Sequence, residues 1–237
     1  YDVSLWRVTL MNNIVLSLFV FPVMPLMVSA ASLDVPSADM SLNIPDEWYV
    51  FTRENIENNP DLDELDLTYE FMNELMNEND MYVDAFDDEE EFIVSVVDVE
   101  DVGNLNDYFD SEIEDLAVEI QSIAGADSYE LYENDYKFIY LEYMDAGYYI
   151  INYYTIIADR AYTFTIQKET EFTSAEKDSY KMIIDSVNFD NYVGVDNSKE
   201  TLVVAIGLGL VVALGVAAVI IAKVKGKNEV KESKENV

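Results

Sequence analysis

Carboxylates and tyrosines are the residue types that could do chemistry in this sequence. The chain carries 48 Asp and Glu, 17 Tyr, no His and no Cys. Without His, a Ser-His-Asp triad, Cys-His catalysis and His-ligated zinc are excluded within this chain. Without Cys, disulfides, thiol nucleophiles and iron–sulfur ligation are excluded as well. What remains is acid–base chemistry by carboxyl groups, cation binding by oxygen, and recognition by aromatic rings.

The densest run of carboxylates is the segment 87–91. Its candidate metal ligands are Asp87, Asp88, Glu89 and Glu90. Hard carboxylate oxygens suit Ca²⁺, but the run lacks the alternating spacing and the glycine of an organised Ca²⁺ loop. The pattern therefore favours a solvated hairpin turn whose charges discourage edge-to-edge aggregation. A Ca²⁺-dependent surface protein is the alternative.

Two carboxyl groups could also serve as the acid and the base of glycoside hydrolysis. Residues 31–200 hold 44 of the 48 acidic residues, so no spacing singles out one pair. No glycine fingerprint for a nucleotide or a flavin occurs either. The sequence therefore predicts no catalytic residue and no cofactor, with a carboxylate-based envelope hydrolase as the alternative.

Ten tyrosines lie between residues 129 and 162, in a region of alternating strands. The pairs Tyr148–Tyr149 and Tyr153–Tyr154 fall in one predicted strand, so alternation puts one tyrosine of each pair on each face. They fill the core and its rim, as aromatic residues of strands commonly do. The alternative is an exposed tyrosine surface that binds an envelope protein or a polysaccharide.

The elements that must position these residues follow from hydrophobic periodicity. Apolar residues at spacings of three and four predict helices over 66–79 and 105–123, and Thr173 with Glu176 forms a capping box before a closing helix. Alternating and apolar runs predict strands at 40–44, 48–51, 81–86, 91–99, 128–132, 136–144, 147–158 and 161–168. We predict an α+β fold, in which helices cover a meandering antiparallel sheet as an α/β/α sandwich.

Four features of this order resemble the PsbP-like family. They are the first strand ending at Pro45 before Trp48, the "DAF" strand at 84–86, the aromatic meander, and the closing "MIIDSVNF" at 182–189. The resemblance covers residues 38–192. Within the family, the chain is most similar to uncharacterised exported, membrane-anchored members from low-GC Gram-positive bacteria. It implies a binding or assembly subunit and not an enzyme. The metal-binding histidines of the plant branch have no counterpart here.

The two ends of the chain predict export and anchoring. Residues 1–30 are typical of a signal peptide, with an apolar run that ends in small residues and cleavage before Ala31. Residues 201–222 are uncharged and long enough to span a membrane as a helix. Three lysines follow that segment directly, so the positive-inside rule puts residues 223–237 in the cytoplasm. The exported domain is then 31–192, joined to the membrane by a linker at 193–200.

Small residues recur every four positions in the predicted span, at Ala205, Gly209, Ala213 and Ala217. Such a stripe lets another helix approach closely, which predicts a packing face and a homodimer through the membrane helix. The alternative is that Ala and Gly are simply common in membrane helices.

Charge restricts the partners. The net charge of the chain is −35, and residues 31–200 hold only seven of its 13 basic residues. Nucleic acid is therefore excluded as a partner, because phosphate binding needs a basic surface. We expect a membrane-anchored, extracellular, non-catalytic binding or assembly module of the bacterial cell envelope.

Overall fold

The computed structural model describes residues 30–194. The predicted signal peptide (apart from Ala30), most of the linker, the span 201–222 with Ala205, Gly209, Ala213 and Ala217, and the tail 223–237 lie outside the described residues. Among residues 30–194, no helix combines the length and the apolar character that crossing a membrane requires. Anchoring and membrane topology therefore stay predictions from the sequence.

Ten strands and four α-helices make up the described chain. The strands are β1 (Ala30–Val35), β2 (Met40–Pro45), β3 (Tyr49–Thr52), β4 (Met81–Phe86), β5 (Glu90–Asp98), β6 (Tyr129–Glu133), β7 (Lys137–Asp145), β8 (Tyr148–Ile157), β9 (Arg160–Lys168) and β10 (Asn188–Phe189). The helices are α1 (Asp61–Glu64), α2 (Tyr69–Glu78), α3 (Asp110–Ala124) and α4 (Ser174–Asp185).

The strands form two antiparallel sheets. The large sheet has seven strands in the order β3-β4-β5-β9-β8-β7-β6, and the small sheet has three in the order β1-β2-β10. The sequence predicted a single sheet, and this prediction is wrong because the structure has two. The physical reason lies at Pro45, which ends β2. The backbone N–H of Trp48 donates to the Pro45 carbonyl at 3.2 Å, and this turn carries the chain from the small sheet into the large one.

The large sheet is covered on both faces. On one face, the small sheet and α4 enclose the main core, which includes Leu42, Phe92, Phe164 and Ile184. On the other face lie two smaller cores, one under α3 around Leu116 and one under α1 and α2. The predicted α+β class, with helices over an antiparallel sheet, is confirmed. The layer that contains α4 also contains a small sheet, which was not expected.

Local sequence explains where α4 begins and where α3 ends. The Thr173 hydroxyl accepts from the Glu176 N–H at 3.3 Å, and the Glu176 carboxylate accepts from the Thr173 N–H at 2.6 Å, which is the predicted capping box. Gly125 ends α3 in the left-handed region, at φ 70°, where a side chain would be strained.

Candidate functional site

An open groove lies between α4, the end of β2 and the β4–β5 turn, and we call it the α4 groove. Its volume is about 490 Å³, within the usual range of ligand sites. The lining residues are Ala30, Asn43, Pro45, Glu47, Trp48, Asp87, Glu90, Ala175, Glu176, Ser179, Tyr180, Met182 and Ile183. The groove therefore joins residues from both sheets and from the last helix.

Three local structures hold the groove in shape. The Pro45–Trp48 turn places the indole of Trp48 in the main core, where it is 8% exposed. In the β4–β5 turn, the Asp87 carboxylate accepts from the N–H groups of Glu89 and Glu90 at 2.8 and 2.9 Å. The amphipathic helix α4 buries Ile183 and leaves Met182 57% exposed at the groove. The lining is thus set by backbone turns and by a capped helix.

The lining of the groove includes a partly buried hydrogen bond between Tyr180 and Glu90. The Tyr180 hydroxyl donates to Glu90 Oε2, and the Tyr180 ring meets Phe172 edge-on with 5.6 Å between the ring centroids. Burial raises the pKa of Glu90, and the Tyr180 hydrogen bond only partly offsets this rise. Burial and the Glu90 carboxylate raise the pKa of Tyr180 well above its ordinary value.

The pKa of a second groove carboxylate, Glu176, is shifted in the opposite direction. Burial favours the neutral form of Glu176, but hydrogen bonds from Lys168 and Thr173 outweigh it and lower the Glu176 pKa. Lys168 Nζ donates to Glu176 Oε1, and the Thr173 N–H donates to Oε2. Glu176 therefore has both oxygens committed to structural bonds, whereas Glu47 is exposed to solvent.

The four metal candidates separate in the structure. Asp87 and Glu90 line the α4 groove, whereas Asp88 and Glu89 are exposed in the turn. No group of three or more carboxylates in residues 30–194 is arranged to hold a metal ion. The backbone hydrogen bonds to Asp87 are those of a tight turn, and the Ca²⁺ hypothesis stays a prediction.

The four candidate tyrosines do not form one exposed surface. Tyr153 is in the main core and Tyr154 is in the core under α3, with 5% and 2% exposure. Tyr148 and Tyr149 are half-buried. This corrects the tyrosine-surface alternative for Tyr153 and Tyr154, and the reason is that both faces of β8 are covered by other layers. For these two residues, the structure agrees with the other interpretation, in which the tyrosines fill the core.

A strip of buried polar side chains crosses the α2–α3 face of the large sheet, and the sequence analysis did not identify it. In residues 30–194, five buried side-chain oxygens lack a hydrogen-bond partner. They are both carboxylate oxygens of Asp84, Glu91 Oε1, Asn152 Oδ1 and Thr165 Oγ1. These residues lie on the neighbouring strands β4, β5, β9 and β8, and Asn152 pairs directly with Thr165. The sequence signal that could have revealed this strip is a polar residue at an inward-facing position of an otherwise apolar strand.

Two carboxyl groups are the chemically unusual part of this strip. Asp84 and Glu91 are both 0% exposed, and Gln167 Nε2 donates to Glu91 Oε2 at 2.6 Å. Burial raises the pKa of Asp84 to about 7, although the nearby Glu91 carboxyl offsets part of the rise. Burial and the charge of Asp84 raise the pKa of Glu91 well above its ordinary value. The strip is closed to solvent, so the α4 groove is the candidate ligand site.

Comparisons with known proteins find distant similarity to solved structures but no matching family. No protein-family model matches the chain, and no curated protein matches it. The solution structure of cyanobacterial PsbP (CyanoP) from Synechocystis sp. PCC 6803 is similar at 10% identity and a TM-score of 0.42. The similarity covers 69% of this chain and 94% of that one. At this level of similarity, membership of the PsbP-like family stays a prediction from the sequence.

Proposed function

We propose that this chain is an exported, membrane-anchored binding or assembly module of the bacterial cell envelope, and that the α4 groove is its binding site. The observation that carries the proposal is an open groove of about 490 Å³ with Trp48 and Met182 in its lining. Aromatic residues and Met are enriched in the buried centres of protein interfaces. The signal peptide and the span predicted from the sequence would hold this groove outside the cell.

A carboxylate-based hydrolase is the second candidate, and one observation favours it. Glu90 and Glu176 line the same groove with pKa values shifted in opposite directions, as an acid and a base require. The capping and ion-pair bonds of Glu176 argue against it, because a base needs an oxygen free to take a proton. Glu90→Gln would abolish hydrolysis of envelope polysaccharide by the purified full-length chain if this candidate were correct.

Site-specific photo-crosslinking tests the binding function. A photoreactive phenylalanine analogue replaces Ser179, which is exposed in the groove, and in a matched variant it replaces Ser111, which is exposed on α3. In native cells, we expect a discrete adduct at position 179 and none at 111. Adding Ala175→Trp fills the groove and should remove the adduct. Equal adducts at both positions, or none at 179, would contradict the proposal.

Protease added to intact cells tests the predicted topology. The domain 31–192 should be digested from outside, whereas an epitope at the end of the tail 223–237 should survive. Detergent lysis provides the control, because it should expose both parts. If the tail is digested in intact cells while the domain survives, the predicted orientation is wrong.

A further inference from the structure

The α4 groove combines apolar surface with carboxylates and contains no basic side chain. Its apolar lining includes Pro45, Trp48 and Ile183, together with the exposed Met182. Its carboxylates are Glu47, Asp87, Glu90 and Glu176. A ligand that fills this groove must therefore bury an apolar group against the lining, and it must compensate the negative charge of the groove carboxylates.

The domain itself has little positive charge available for this task. Each of the six basic side chains in residues 30–194 already has a partner. Lys137, Arg160, Lys168 and Lys177 form ion pairs, Arg53 donates to main-chain carbonyls, and Lys181 lies over the Tyr132 ring. The cation nearest the groove carboxylates, Lys168, is the one bonded to Glu176. Compensating charge for the other groove carboxylates, Glu47, Asp87 and Glu90, must come from the ligand.

We propose that the α4 groove binds a segment of a partner protein in which a Lys or Arg is next to a large apolar residue. The inference rests on the proposed binding function and adds the chemical class of the partner. The apolar side chain packs on Trp48 and Met182, and the basic head group lies between Glu47 and Glu90. A cation on the ligand also increases the rate of association with so acidic a domain.

Peptide binding to the full-length chain tests the inference. Trp48 is the only tryptophan after the predicted cleavage before Ala31, and Trp6→Phe makes it the only one in an uncleaved chain as well, so tryptophan fluorescence reports on the groove. The ligands are four pools of nine-residue peptides with degenerate flanks and a fixed central pair, which is Lys-Leu, Lys-Ser, Gln-Leu or Glu-Leu. In 0.15 M NaCl, we expect the Lys-Leu pool to bind about tenfold more tightly than the other three pools.

A matched pair of double variants separates the groove from overall charge. Glu47→Gln with Glu90→Gln removes two charges from the groove, and the glutamine at position 90 can still accept from Tyr180. Glu74→Gln with Glu114→Gln removes two exposed charges from α2 and α3. We expect the groove pair to weaken Lys-Leu binding by about three- to tenfold, and the control pair by less than about twofold.

The outcomes distinguish this inference from the proposed function. If the Gln-Leu or Glu-Leu pool binds as tightly as the Lys-Leu pool, or if the control pair weakens binding as much as the groove pair, the inference is wrong. If the adduct at position 179 persists in that case, the binding function stands without this class of partner. If the adduct is also missing, both proposals are wrong.

Discussion

At the scale of single residues, the carboxyl pair of Asp84 and Glu91 has the largest physical consequence. Both side chains are fully buried, and three of their four oxygens have no hydrogen-bond partner. A buried carboxyl group avoids the cost of its charge by keeping its proton. The folded chain therefore binds protons at this pair more tightly than the unfolded chain does.

This pair predicts that the domain loses stability as the pH rises. The folded pKa of Asp84 is about 7 against an ordinary value of 3.8, so its contribution is complete below about pH 4 and is lost progressively up to about pH 7. We expect Asp84→Asn with Glu91→Gln to reduce the loss between pH 5 and pH 8 by roughly 2–4 kcal/mol, measured by urea unfolding. Asp88→Asn, an exposed control, should change nothing. An unchanged pH profile in the double variant would contradict the account.

At the scale of elements, the α4 groove depends on the first turn of α4. The capping box of Thr173 and Glu176 fixes the start of the helix, and Glu176 also holds Lys168. Thr173→Ala removes one half of the box, so we expect a loss of about 1 kcal/mol in the free energy of unfolding. Ser174→Ala, one residue later, is the matched control and should cost less than half as much. Equal losses in a thermal or urea titration would show that the box does not stabilise α4.

At the scale of the whole molecule, charge repulsion opposes folding. Four of the six basic residues of the described range are already in ion pairs, and residues 31–200 carry a net charge of about −37. At 0.1 M, added salt screens this repulsion between charges more than about 10 Å apart. We expect an increase in NaCl from 0.02 to 0.5 M to raise the melting temperature by several degrees. This corresponds to a gain of about 1–2 kcal/mol in the free energy of unfolding.

The same melts decide whether Ca²⁺ binds specifically. Without a three-carboxylate cluster in residues 30–194, CaCl₂ and MgCl₂ at equal ionic strength should give the same melting temperature, with or without prior EDTA treatment. An increase of several degrees with Ca²⁺ alone, at micromolar concentration, would support the Ca²⁺-dependent alternative. An Asp88→Asn, Glu89→Gln variant would then test whether the β4–β5 turn binds the ion.

The local sequence predicted those elements whose periodicity is strong. The strand expected at 81–86 is β4, and the strand expected at 161–168 is β9 with one more residue at its start. The helix expected at 105–123 begins five residues later as α3, because a 3₁₀ turn at Leu105–Asp107 precedes it. The sequence did not predict β1, α1 and β10, since β1 is mostly exposed and the other two span four and two residues.

By itself, the sequence determined the fold class, the acidic character and the absence of His and Cys chemistry, because these follow from composition and from periodicity along the chain. Only the tertiary structure decided that the chain passes from the small sheet into the large one after Pro45, and that Asp84 lies near Glu91. It also brought Glu47, Glu90 and Met182 into one groove. These outcomes depend on contacts between residues far apart in sequence, and local patterns carry no information about which face a second layer will cover.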